Sequence, residues 1–250
     1  NMRKIVERLK KANISVIVGT PGVVDTKTWR TPDHSSVYNK NLGKLGEIDS
    51  KLAKEYSERF ADLHPLMLDV MKKAKAVYGD AYHVAGPDGV HPADNGHLVM
   101  AYAFLKAMGF DGNIGTVTLA WNGKAEATEG HKIISFADGK TVIESSRYPF
   151  CFQGPRDKVP VNARSILPFL PFNQDLNRFT LVVTGLPAGK AEVKWGKNTK
   201  VFTKEQLEKG INLADEFQED NPFCANFSKL IDLIGKKQAF ETVFIKKFLT

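Results

Sequence analysis

Through the first hundred residues apolar side chains recur every three or four positions, the period of a helix with one buried face. Ile5, Val6 and Leu9 predict a helix over 2–12, and Leu45, Ile48, Leu52 and Tyr56 predict another over 39–59. Leu66, Val70 and Ala74 predict a third over 65–77. Leu98, Ala101, Tyr102, Leu105 and Met108 predict a fourth, with Gly109 as its stop. Between the first two lies the β-branched run 14–18, which reads as a short, fully buried parallel strand. The polar loop after it, 20–36, carries Trp29, Arg30 and His34. Loops beyond the carboxyl ends of parallel strands line ligand crevices, so this loop is a candidate substrate wall. Trp29 and Arg30 are its candidate substrate-binding residues; the plainer role for Trp29 is to cover the sheet edge.

From Gly112 the pattern alternates in twos. Strands are predicted over 114–121, 131–136 and 141–145, the last two joined at an Asp138-Gly139 turn. Strands over 178–184 and 190–195 read as a second hairpin, followed by a short strand at Val201-Phe202. Thr203 with Gln206 three residues later forms a capping-box signal. The tail over 222–248 reads as an amphipathic helix or helix pair packing back on the domain. Three regions follow: 1–112, a β-rich module over 113–215, and a helical tail over 216–250.

Composition adds exclusions. The net charge of +7 comes from dispersed lysines, where a nucleic-acid footprint needs a concentrated stripe, so no nucleic-acid partner is expected. No apolar run approaches spanning length, and no membrane partner is expected. Cys151 and Cys224 lack metal-ligand spacing and are either one disulfide or two free buried thiols.

The chemistry concentrates in Gly86-Pro87-Asp88-Gly89-Val90-His91-Pro92, a polar turn running into the fourth helix. Pro92 disfavours helical backbone at His91, which places His91 extended at the helix mouth with Pro92 near the first helical position. Asp88, three residues earlier across a glycine turn, can fold back onto one ring nitrogen of His91. That bond fixes the tautomer and leaves the other nitrogen as a general base towards a hydroxyl. His83, His91 and His97 with Asp88 are an alternative metal cluster. His91 and His97, six apart across a helix start, point to different sides, and no metal site is expected.

The block Asp88-Gly89-Val90-His91-Pro92, then Gly96-His97 and an alanine-containing helix, resembles the last conserved block of the SGNH/GDSL family of serine esterases. Val18-Gly19-Thr20-Pro21 followed by Asp25 resembles that family's strand-end segment, and 39–53 resembles the helix after it. The resemblance implies the C-terminal part of a three-layer α/β/α, flavodoxin-like fold, with an added β-rich module and a C-terminal helix. Asp88 and His91 are then the orienter and base of a Ser-His-Asp triad. Asp62-Leu63-His64-Pro65, a second Asp-x-His pair, falls by the family pattern at a strand before the penultimate helix, where a structural role is expected. Gly210-Ile211-Asn212-Leu213-Ala214 resembles the end of an accessory β segment in some bacterial members; Asn212 either closes a turn or touches the active-site rim.

No Gly-Asp-Ser and no Gly-x-Asn-Asp occurs in the 250 residues. The resemblance therefore implies that serine and oxyanion donors belong to a missing N-terminal part of the same hydrolase, a partner of this chain. The expected activity is ester hydrolysis of a small-molecule or carbohydrate ester, with no cofactor; the family favours a secreted or periplasmic protein. The alternative is a non-catalytic, carbohydrate-binding protein on the same scaffold.

Overall fold

The structure is a computed structural model that describes residues 1–30, 32–152, 154 and 162–248, with the side chains of residues 32, 33 and 35 outside that description. The chain is mixed α/β and folds as two compact units: Asn1–Asp111 with Gln153–Leu176, and Gly112–Phe152 with Asn177–Thr250. The segment 162–176, read from sequence as part of the β-rich module, belongs to the first unit. No helix of the described residues is long and apolar enough to cross a membrane.

The first unit opens with α1 (Met2–Lys11), β1 (Ile17–Gly19) and α2 (Pro32–Tyr56). It continues with β2 (Arg59–Ala61), α3 (Leu63–Tyr78) and α4 (Asp94–Met108). A 3-10 helix, Ala163–Phe169, and α5 (Phe172–Leu176) complete it. β1 and β2 pair in parallel, Val18 opposite Phe60, and β1 has no second partner among the described strands. Val18 packs with Val6, Leu52 and Ala53, so its face looks towards α1 and α2. Gly19 looks the other way, because successive strand residues alternate faces. A Cβ there would lie 2.6 Å from the ring tip of Phe104 of α4, so the glycine lets that ring lie directly against the strand. The strand pair is thus covered on both faces, as apolar parallel strands require.

α2 begins at Pro32, seven residues before the predicted start, and the loop ahead of it shortens accordingly. Proline is well tolerated in the first helical turn, where its missing N–H costs nothing. α4 starts at Asp94 behind the extended N-cap Ala93, so Pro92 stands outside the helix. Asn95 sets that start: its side chain donates to the His83 carbonyl (3.1 Å) and accepts the Gly96 N–H (2.6 Å). Gly109 ends α4 in the left-handed region, its N–H returning to the Leu105 and Lys106 carbonyls.

In the second unit β3 (Asn113–Ala120) pairs with β4 (Lys124–Ala127), a strand absent from the sequence reading. β5 (His131–Ala137) and β6 (Lys140–Ser145) form the hairpin expected at Asp138-Gly139, both in the left-handed region. β7 (Arg178–Thr184) lies parallel to β3 and takes β10 (Ile211–Asn212) on its other edge. Both edges of β7 are therefore filled. β8 (Lys190–Trp195) pairs instead with β9 (Asn198–Thr203), which corrects the predicted 178–195 hairpin. Thr203 and Gln206 make the reciprocal cap of α6 (Lys204–Lys209). Phe179, Phe202, Leu207 and Phe217 anchor this core.

Asn177, fully buried, bonds Phe150 in both directions (2.8 and 3.0 Å), clamping the chain where it leaves this unit and returns. Asn212 caps α7 (Leu213–Glu216) and ties back to Asn177 and Phe179, so it closes a turn. α8 (Cys224–Phe248) buries none of its side chains, although Phe227 meets the Phe150 ring; the expected packing of the whole tail onto the domain is not formed. Both cysteines are free thiols.

Candidate functional site

The corner ahead of α4 is shaped by two left-handed glycines, Gly86 (φ 84°) and Gly89 (φ 82°). A Cβ at Gly86 would stand 1.7 Å from the His91 carbonyl oxygen, so no other residue lets the turn close this tightly. Inside it, Asp88 Oδ1 accepts the backbone N–H groups of Val90 and His91, each at 3.0 Å. Asp88 Oδ2 lies 2.6 Å from His91 Nδ1. A carboxylate only accepts, so Nδ1 carries the proton, and Nε2 of the neutral ring presents a lone pair. The His91 side chain is 85% exposed and that lone pair is open to an incoming hydroxyl. The Asp88 carboxyl is held well below the usual carboxylate range, first by the His91 hydrogen bond and then by the two backbone donors.

The corner is tied to the loop after β1. Asp25 donates its N–H to the Gly89 carbonyl at 2.9 Å. Its carboxylate, 2% exposed, sits 2.6 Å from Lys75 Nζ of α3, itself 12% exposed, and Oδ1 also accepts the Lys27 N–H. His83 Nδ1 lies 3.8 Å from the same carboxylate. The Asn39 side chain bonds Val24 in both directions, fixing the loop to α2. A Cβ at Gly89 would fall 2.7 Å from both Thr28 Oγ1 and Trp29 Cβ, so the loop carrying Trp29 and Arg30 is packed directly on the turn. Arg30 lies over the Trp29 ring at 4.4 Å, and Tyr38 meets that ring edge-on at 4.7 Å. Trp29 is half-buried and Arg30 exposed.

Beneath the corner the Tyr82 hydroxyl, fully buried, is 2.6 Å from Ser165 Oγ on the 3-10 helix. This gives Tyr82, Val84 and Ala85 a rigid bed. Ser165, 2% exposed and also bonded to Asn162, is structural. The structure brings together Asp88, His91, Trp29 and Arg30, and it separates His91 from α4 by two residues instead of placing it at the helix mouth. His97 is exposed on α4, and no group of three or more His, Cys, Asp or Glu among the described residues is placed to hold a metal.

Sequence reasoning passed over Lys75, Asn39 and Tyr82, and weighed His83 only as a metal ligand. Lys75 alone carried a signal: it follows the buried Ala74 and stands one turn after buried Met71, a position where a lysine needs an acid.

No protein-family profile matches the chain, and no curated protein matches it. Among solved structures it is similar to a gut microbial diltiazem-metabolizing enzyme, with 21% identity and a TM-score of 0.71 over 96% of this chain and 57% of that one. Two mutants of an acetyl-xylooligosaccharide esterase from Geobacillus Stearmophilus align over 44% of each chain, with 25% identity and a TM-score of 0.33. The chain thus spans little more than half of the first neighbour, with which it shares a fold.

Proposed function

We propose that this chain carries the acid–base half of a serine-type ester hydrolase of the SGNH/GDSL kind, acting on a small-molecule or carbohydrate ester. The observation that carries the reading is the 2.6 Å contact between Asp88 and His91 Nδ1, which leaves Nε2 open to solvent. Support also comes from the order of the strand-end segment at Thr20-Pro21, Asp25 and the Asp88–His91 block along the chain. The reading requires a serine from outside these 250 residues, since no Gly-Asp-Ser lies within them. That hydroxyl attacks the ester carbonyl while His91 Nε2 takes its proton and then returns it to the departing alkoxide. Water repeats the cycle on the acyl-serine, its proton passing through His91 to the released serine oxygen. Asp88 orients the imidazole and stabilises its charged form. Trp29 and Arg30, packed on the same turn, form the substrate wall.

The test is turnover of a short-chain p-nitrophenyl ester. The 250-residue chain alone should stay at background, and the complete polypeptide should be active. In the latter His91→Ala should lower kcat by about three to six powers of ten with the fold intact. Asp88→Asn should cost up to about ten-thousandfold through the wrong tautomer. An active His91→Ala enzyme overturns the triad, and a complete polypeptide without Gly-Asp-Ser or turnover favours the carbohydrate-binding alternative.

A further inference from the structure

Away from the Asp88–His91 corner, α2 and the start of α3 enclose a groove of about 640 Å³. Lys40, Lys44, Lys51 and Lys54 line it. Their spacing puts all four on one stripe of α2, about 21 Å long at the helical rise. No salt bridge of the described residues uses any of them, although Glu47 stands between the second and third. His64 also lines the groove and is 6% exposed. Its backbone N–H donates to Thr20 Oγ1 (2.7 Å), and its Nδ1 lies 2.8 Å from the Gly22 carbonyl. A carbonyl only accepts, so Nδ1 holds the proton and Nε2 of the neutral ring is an acceptor. That nitrogen has no partner among the described residues. It faces Gly43, where a Cβ would come within 3.6 Å of it.

An unpartnered acceptor open to a groove that carries four unneutralised ammonium groups calls for a ligand that supplies negative charge and hydroxyl donors together. Thr20, Ser50, Glu47 and Asp62 in the same lining add further acceptors for hydroxyls. We propose that this groove binds a carboxylated oligosaccharide, its carboxylates on the lysines and a sugar hydroxyl donating to His64 Nε2. A nucleic acid fits less well. The two aromatic rings in the lining, Phe60 and His64, are partly buried and buried, and give bases no open stacking platform. The groove does not depend on the ester-hydrolase reading, because binding alone is measured.

The experiment is calorimetric titration of the 250-residue protein with a galacturonate hexasaccharide, a neutral xylose hexasaccharide and a single-stranded oligothymidylate. The galacturonate chain should bind, and raising salt to about 0.5 M should weaken it roughly tenfold through screening. Lys44→Ala with Lys51→Ala, both on the exposed face, should also weaken it roughly tenfold. Gly43→Leu should remove binding by covering Nε2, and it replaces a helix-weakening glycine, so circular dichroism should show the helices intact. Equal affinity for the neutral sugar, tighter binding of the oligothymidylate, no binding of the galacturonate at low salt, or indifference to the lysine pair would each overturn the proposal.

Discussion

Replacing Lys75 by Met leaves the Asp25 carboxylate buried without its cation. With side chains only 2% and 12% exposed, solvent screens this pair little. Breaking a buried pair from one side costs about 3–5 kcal/mol. Asp25 retains the Lys27 N–H, which places the loss near the lower end, at about 3 kcal/mol. With a urea dependence of about 2 kcal/mol per molar, the midpoint of the first unit should fall by about 1.5 M. Trp29 belongs to that unit, whereas Trp121 and Trp195 belong to the other, so fluorescence in a Trp121→Phe, Trp195→Phe background reports the first unit alone. Lys75→Met with Asp25→Asn removes the stranded charge and keeps an acceptor for Lys27, and should cost only about 1 kcal/mol. A double variant less stable than Lys75→Met, or a single variant within about 0.5 kcal/mol of the parent, would refute the argument.

Gly86→Ala should destabilise the first unit by at least about 1–2 kcal/mol, from the left-handed backbone alone, and displace His91, because the new methyl overlaps the His91 carbonyl; an unchanged His91 ring spectrum by NMR contradicts this. Asp88 should titrate below the ordinary carboxylate value of about 3.9. Since its folded pKa is depressed, the stabilisation it gives is present above that ordinary value and disappears as pH falls through the folded one; carboxyl carbon shifts against pH read this directly, and an ordinary midpoint counts against the contact. Ser165→Ala strips the buried Tyr82 hydroxyl of one partner and should cost about 1–2 kcal/mol in the same Trp29 urea assay.

The Asp88–His91 contact was legible because its local determinants lie within seven residues: Gly86, Gly89, Pro92 and an acid three positions before the histidine. The β5–β6 hairpin was legible for the same reason, through Asp138-Gly139. What escaped depends on distant chain. β7 carried a hairpin signal at 185–189, yet its partners β3 and β10 lie far from that turn, and burial on alternate positions could not say which strand would take each edge. Pro32 read as part of a loop because proline breaks helices, while in the first turn it starts them. The Asp25–Lys75 pair joins residues fifty positions apart, and only packing of α3 against the β1 loop brings them together. α8 displayed a wide apolar face, but no pattern in one helix says what surface that face will meet.

β1 is covered above and below yet, among the described strands, paired along one edge only. The stretch 14–20, Ile-Ser-Val-Ile-Val-Gly-Thr, holds no charge and no proline to guard that margin. Such an edge accepts any extended segment of another molecule through main-chain bonds. Its brevity, three residues in regular strand, limits how many bonds a visitor can make. Turbidity on warming should therefore begin with the first unit's transition and be reduced in a variant carrying Ser15→Lys, an exposed position just before the strand.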